Sequence, residues 1–101
     1  MSDKEPILTI SVAAKLLGLH SRTLMFYEQA GLIEPHRTST NRRLFSIEDL
    51  NQLQFITFLT QKEGINLKGV KLLLEAVSIA EESGLRLRRR LFPSFKLKKL
   101  I

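Results

Sequence analysis

Apolar residues recur along this chain in helical blocks that are separated by glycines and polar turns. Ile7 to Ile10, after Pro6, is a short apolar and β-branched run that reads as a strand, and Ser11 then stands where it can cap a helix running through Lys15 to Leu17. Gly18 breaks that helix. Ser21 offers a second N-cap, and RTLMFYEQA continues helically to Gly31, a residue suited to the left-handed conformation just past a helix end. The turn Gly18-Leu19-His20 separates the two. Small Ala14 lets the helices approach, and Ala13, Leu17, Leu19, Leu24 and Tyr27 fall where a pair crossing at a large angle needs apolar contact.

Beyond Gly31 the period changes. Leu32-Ile33 is β-prone, Glu34-Pro35 opens a turn, and HRTSTNRR (36–43) is polar and turn-rich before Leu44-Phe45 restore an apolar character. This predicts a two-stranded hairpin, a wing, whose tip directs its guanidinium groups outward because neither neighbouring strand offers an acid to hold them. Ser46-Ile47-Glu48-Asp49 is a capping box, with Phe45 and Leu50 as its hydrophobic staple. The helix it starts carries Ile47, Leu50, Leu53, Ile56 and Leu59 in one stripe, widened by Phe55 and Phe58, up to Gly64. Asn66 caps a further helix with Ile65 and Val70 as a second staple, and Leu67, Val70, Leu74 and Val77 form its inner face until Ser83-Gly84.

Composition narrows the picture. The 101 residues suit one small domain, with no cysteine for disulfide, thiolate-zinc or thiol chemistry. No apolar run is long enough to cross a bilayer and the polar start is no secretory signal, so a cytoplasmic protein without a membrane partner is expected. The net charge of +6 is unevenly placed. Residues 85–101 carry seven Lys and Arg and no acid, which leaves nine basic against ten acidic side chains in residues 1–84. Within that near-neutral body, His20 to Phe45 holds Arg22, Arg37, Arg42 and Arg43 against Glu28 and Glu34 alone, a local basic patch. The division expected is a globular domain over 1–84 and a basic, apolar tail or short dimerisation element over 85–101, where Pro93 forbids a continuous helix.

Catalysis needs convergent titratable groups, and none is found: His20 and His36 match no zinc spacing, Glu48 and Asp49 are first-turn helix charges, and no glycine loop cradles a phosphate. No catalytic residue, metal or cofactor is implied. Binding to double-stranded DNA, by contrast, uses parts that are present: a short helix for base edges and a flanking hairpin whose cations meet phosphates. Arg22 stands at the start of the second helix, where recognition-helix side chains reach a groove first. Thr23 can donate to a phosphate or touch a thymine methyl. Tyr27 is either a phosphate donor or a core aromatic with its hydroxyl at the rim. Arg42 and Arg43 are either wing contacts or a solvated loop.

The order helix, turn, helix, wing, helix, helix, with SVAAKLLGLHSRTLMFYEQAGLIEPHRT, NRRLFSIEDLNQL and INLKGVKLLLE, resembles the MerR family of winged helix-turn-helix regulators over about residues 7–80, nearest its heat-shock and nitrogen-control repressor branches. The resemblance implies a mainly α fold with a small β-hairpin wing. It implies DNA contacts from Arg22, Thr23 and Tyr27 of the recognition helix and from Arg42 and Arg43 of the wing, with Leu44 and Phe45 anchoring that wing; Met25 and Arg37, in the same helix and basic patch, complete the candidate contacts. The family's Thr-Leu-Arg-Tyr-Tyr-Glu here reads Thr23-Leu24-Met25-Phe26-Tyr27-Glu28, so one cation and one phenol are replaced. Met25 then either meets a thymine methyl or packs on the domain. The family's long C-terminal coiled-coil helix is not recognisable in the last residues, so dimerisation falls to the N-terminal strand, the fourth helix or the tail. The function expected is a sequence-specific transcription regulator, a repressor, acting as a homodimer, with a possible protein partner through residues 85–101. An excisionase-like architectural DNA-binding protein and a protein-interaction adaptor are the alternatives.

Overall fold

Residues 2–101 are described in a computed structural model. The chain runs β1 (Leu8–Thr9), α1 (Ile10–Leu17), α2 (Ser21–Gln29), β2 (His36–Arg37), β3 (Arg43–Phe45), α3 (Ile47–Thr57) with a π-helical turn (Phe58–Lys62), α4 (Leu67–Glu82) and α5 (Leu87–Leu91). The predicted helices and hairpin are all present, with several boundaries moved.

The first two caps differ from expectation. Thr9, not Ser11, accepts from the amide of Val12, so α1 begins at Ile10 directly from β1. His20, not Ser21, caps α2: its backbone is extended and its ring Nδ1 accepts from the amide of Arg22 at 3.2 Å. A hydroxyl still caps α1, two places earlier than expected, whereas at α2 an imidazole one place earlier takes the part expected of the Ser21 hydroxyl. Gly18, at φ +68, closes α1 with a pair of bonds, Gly18 N–H to Lys15 and Leu19 N–H to Ala14. Gly31, at φ +77, closes α2 the same way through Glu28 and Tyr27. In both the residue after the glycine turns inward, which is the Schellman ending.

The two-stranded hairpin forms as β2 and β3, and β1 joins the free edge of β3 to make a three-stranded sheet. Its order is β1-β3-β2, all antiparallel, with Leu8 opposite Phe45 and Arg37 opposite Arg43. Leu32-Ile33 is not a strand; both residues are buried core side chains in an irregular link, their apolar character serving packing and not pairing. The wing tip is a three-residue loop between Thr38 and Arg42, in which Asn41 takes the left-handed conformation at φ +63.

The capping box forms as read: Ser46 Oγ accepts from Asp49 N–H at 3.0 Å and Asp49 Oδ2 accepts from Ser46 N–H at 2.9 Å. Leu50, Leu53, Ile56 and Leu59 are fully buried with Leu24, Phe45 and Val70 in one core, in which α1 packs on α3 and in turn on α2 and β3. Asn66 caps α4 through Gly69 N–H at 2.8 Å. Leu67, expected on the inner face of α4, is exposed, because it lies in the first turn beyond the edge of the core.

Residues 85–101 pack back on the body. Phe92 and Phe95 lie against Phe55 and Phe58, with ring centroids 5.1 to 5.9 Å apart. Arg88 stands over the rings of Phe55 and Phe95. Gln54 exchanges two 2.9 Å hydrogen bonds with the backbone of Lys98. Phe92, Phe95 and Leu100 therefore extend the α3 core, while Leu85, Leu91, Leu97 and Ile101 stay exposed together with every cation of the segment except the half-buried Arg88.

Candidate nucleic-acid interface

The α2 helix has one face for the core and one for solvent. Leu24 and Tyr27 are buried; Arg22, Phe26 and Gln29 are exposed; Thr23 and Met25 are half-buried on its flanks. Arg22, Met25, Phe26 and Gln29 follow the three- and four-residue spacing that places side chains on one helix face. Tyr27 is five residues from Arg22, a rotation of about 140° around the axis. The two therefore do not point the same way.

Tyr27 is held inward by a relay. Its hydroxyl lies 3.1 Å from Thr60 Oγ1, and Thr60 Oγ1 donates to the carbonyl of Thr57 at 3.1 Å. Thr60 spends its single proton on that carbonyl, so Tyr27 is the donor to Thr60. A phosphate oxygen needs a donated proton, and the proton of Tyr27 is already engaged.

The wing joins α2 through Glu28. Its carboxylate accepts from Arg43 Nε at 2.5 Å and from Arg37 Nη2 at 3.0 Å, and Arg37 Nη1 donates onward to the carbonyl of Asn41 at the wing tip. The expectation of guanidinium groups directed freely outward is corrected for Arg37 and Arg43: the acid that holds them comes from the recognition helix and not from a strand. Burial works against the charge on Glu28, but the hydrogen bonds and charges of Arg43 and Arg37 outweigh it, and the carboxyl titrates below its ordinary value. Two guanidiniums on one carboxylate leave the cluster net positive. Arg42 is exposed and forms no ion pair among the described residues. The structure thus brings Arg37, Arg43 and α2 into one unit, leaves Arg22 and Arg42 available at its two ends, and turns Tyr27 into the core.

Two residues of this surface escaped the sequence reading. Glu28 is the single acid between Glu5 and Glu34, and its isolation opposite three wing arginines was the available signal. Phe26, 53% exposed, lies four residues after Arg22 on the outward face. Among the described residues there is no group of three or more His, Asp or Glu suited to a metal, and no helix is long and apolar enough to cross a membrane.

A short helix pair, a glycine-closed turn and a sheet-borne wing clamped to the second helix define a winged helix-turn-helix domain. The chain belongs to the MerR HTH family of regulatory proteins, whose sequence profile matches residues 8–77, from β1 into α4. It is 43% identical over 75 residues to HspR of Streptomyces coelicolor, named a heat shock protein, covering 74% of this chain and 50% of that one. It is 36% identical over 85 residues to the HTH-type transcriptional regulator GlnR of Bacillus anthracis, covering 77% of this chain and 65% of GlnR. The chain thus spans between half and just under two thirds of these relatives. Its fold matches the crystal structure of HiNmlR, a MerR family regulator lacking the sensor domain, bound to promoter DNA, with a TM-score of 0.70, 30% identity, and coverage of 85% of this chain and 64% of that one.

Proposed function

We propose that the chain is a sequence-specific, double-stranded-DNA-binding regulator of transcription, a repressor, that works in the cytoplasm as a homodimer. The observation that carries this reading is the Glu28 clamp. It fixes the wing against α2, so that the outward face of that helix and the wing tip move as one body. The family to which the chain belongs and the promoter-bound state of HiNmlR support the same reading.

In this assignment Arg22 and Met25 read base edges from α2, and Thr23 and Arg42 contact phosphates on either side. Arg37 and Arg43 hold the wing and present their remaining N–H groups and net charge to the backbone. Tyr27 is a positioning residue: it fixes α2 to the π-helical turn through Thr60 and does not itself touch the duplex. Two copies are needed because recognition helices on one face of B-DNA sit about 34 Å apart, or a multiple of it, which matches an inverted repeat. The exposed Leu72 and Ile79 of α4, and residues 85–101, are the surfaces offered to a second copy or a protein partner.

Selection from a random DNA pool at near-physiological salt tests the assignment. An inverted-repeat consensus is expected, and an unenriched pool overturns it. With the selected site, Arg42→Ala is expected to lower the slope of log affinity against log salt by about 0.9 with base preference kept, whereas Arg22→Ala lowers affinity and relaxes base preference in the half-site.

A further inference from the structure

Between the end of α1, the second half of α3 with its π-helical turn, and the segment Ser94–Leu100 lies a groove of about 830 Å³, in the size range of small-molecule sites. Leu17, Phe58, Phe95 and Leu100 line it, each half-buried against the core. Its other lining is cationic: Lys15 from α1, Lys62 from the π-helical turn, and Lys96 and Lys98 from the C-terminal segment, with Glu63 as the single carboxylate. None of these lysines forms an ion pair among the described residues. Cations brought from three separate stretches of chain to one groove are not the solvated face of a single helix. A cleft lined with one sign of charge over an apolar wall concentrates field and favours an ion of the opposite sign.

Two further features belong to the same place. Thr57 lines the groove, and its hydroxyl oxygen is buried without a hydrogen-bond partner, a rare condition in a folded protein. Gln54 ties the backbone of Lys98 on both its N–H and C=O, so one wall is held closed by a side-chain amide rather than by secondary structure. No residue of α2 lines the groove, which separates it from the surface assigned above to DNA.

We propose that this groove binds a free single-chain anionic amphiphile, its hydrocarbon body against Leu17, Phe58 and Phe95 and its carboxylate held by the surrounding lysines. The apolar lining alone would accept any hydrophobe; the four unpaired ammonium groups select the head group. The ligand would bridge α1 to the C-terminal segment, beside the turn that leads into α2.

Dodecanoate, kept below its micelle concentration, is the probe, titrated calorimetrically into the full chain. Saturable one-to-one binding is expected, weakened about tenfold in Lys96→Glu/Lys98→Glu, where two attractive contacts become repulsive. Lys15→Glu, on a different element, is expected to weaken it as well, so that a disturbed C-terminal segment alone does not account for the loss. Dodecyltrimethylammonium, with the same chain and the opposite charge, is expected not to saturate. Equal binding to the double variant, uptake of many molecules per chain, or equal binding of the cationic analogue would overturn the proposal. So would pelleting of the chain with phosphatidylglycerol vesicles in the absence of dodecanoate binding, which would assign the lysines to a lipid surface.

Discussion

Glu28 of α2 receives Arg43 of β3 at 2.5 Å, and through this contact the helix that faces outward and the sheet beside it share one charge cluster. The carboxylate is the hub, because it also holds Arg37, and it titrates below its ordinary value despite being partly buried. A carboxyl with a lowered folded-state pKa contributes stability that is full above its unfolded value, near 4.3, and is lost as pH falls through the folded one. Wild-type and Glu28→Gln chains should therefore differ in urea unfolding by about 1 kcal/mol at pH 6 to 7, the scale of a partly exposed ion-pair network. The difference should shrink as pH falls below about 4.3 and vanish once the folded-state carboxyl is itself protonated, which makes the two chains alike. A gap that persists in acid would mean that the contact is held by shape rather than by charge.

Tyr27 is the residue on which sequence and structure pull hardest in different directions. If its hydroxyl serves Thr60 and not DNA, Tyr27→Phe should cost about 1 kcal/mol of stability, the usual net value of one hydrogen bond. DNA affinity at a selected site should stay within about twofold and its salt slope should not change, because no phosphate contact is removed. A slope reduced by about 0.9 would instead assign the phenol to a phosphate.

These two cases show where the sequence was legible and where it was not. Periodicity and turn chemistry report short-range physics, and they placed the helices, the capping box at Ser46, the cap at Asn66 and the glycine endings at Gly18 and Gly31. The MerR resemblance rested on the same local strings and is matched by the family profile over residues 8–77. What escaped depends on contacts between distant residues. Glu28 and Arg43 are fifteen positions apart and Tyr27 and Thr60 thirty-three, and no local pattern states which acid meets which guanidinium or which hydroxyl turns inward. Caps failed for a related reason: at Thr9 and His20 the sheet register and the glycine turn decide which residue precedes the helix, whatever hydroxyl follows.

The wing tip offers a local test of the fold. Asn41 is the single non-glycine residue at positive φ among the described residues, and the loop bonds on both sides of it, Asn41 N–H to Thr38 and Thr38 N–H to Arg42, need that conformation. Asn tolerates it better than other side chains. Asn41→Ala should destabilise by roughly 1 kcal/mol, whereas Asn41→Gly should be neutral within about 0.5 kcal/mol, relief of strain offsetting the greater entropy of the unfolded chain. Thermal unfolding separates them, and equal losses in both variants would show that the Asn side chain, rather than its backbone angle, holds the turn.

Residues 85–101 carry cations on a segment whose phenyl rings close the core, so their two roles can be separated by substitution. Phe55 is only 3% exposed because Phe92 and Phe95 cover it, and Phe95 also meets Phe58 at 5.1 Å. Phe95→Ala removes two ring pairs, each contributing roughly 0.5 to 1.5 kcal/mol beyond its buried area. A loss of about 2 to 3 kcal/mol is expected, since the ring is half-buried and part of the site stays open to water. Replacing Arg86, Arg89 and Arg90 together by Gln leaves the rings in place, and these exposed arginines should cost less than about 1 kcal/mol. If the triple variant destabilises as much as Phe95→Ala in the same melts, the cations and not the phenyl rings fasten this segment to α3.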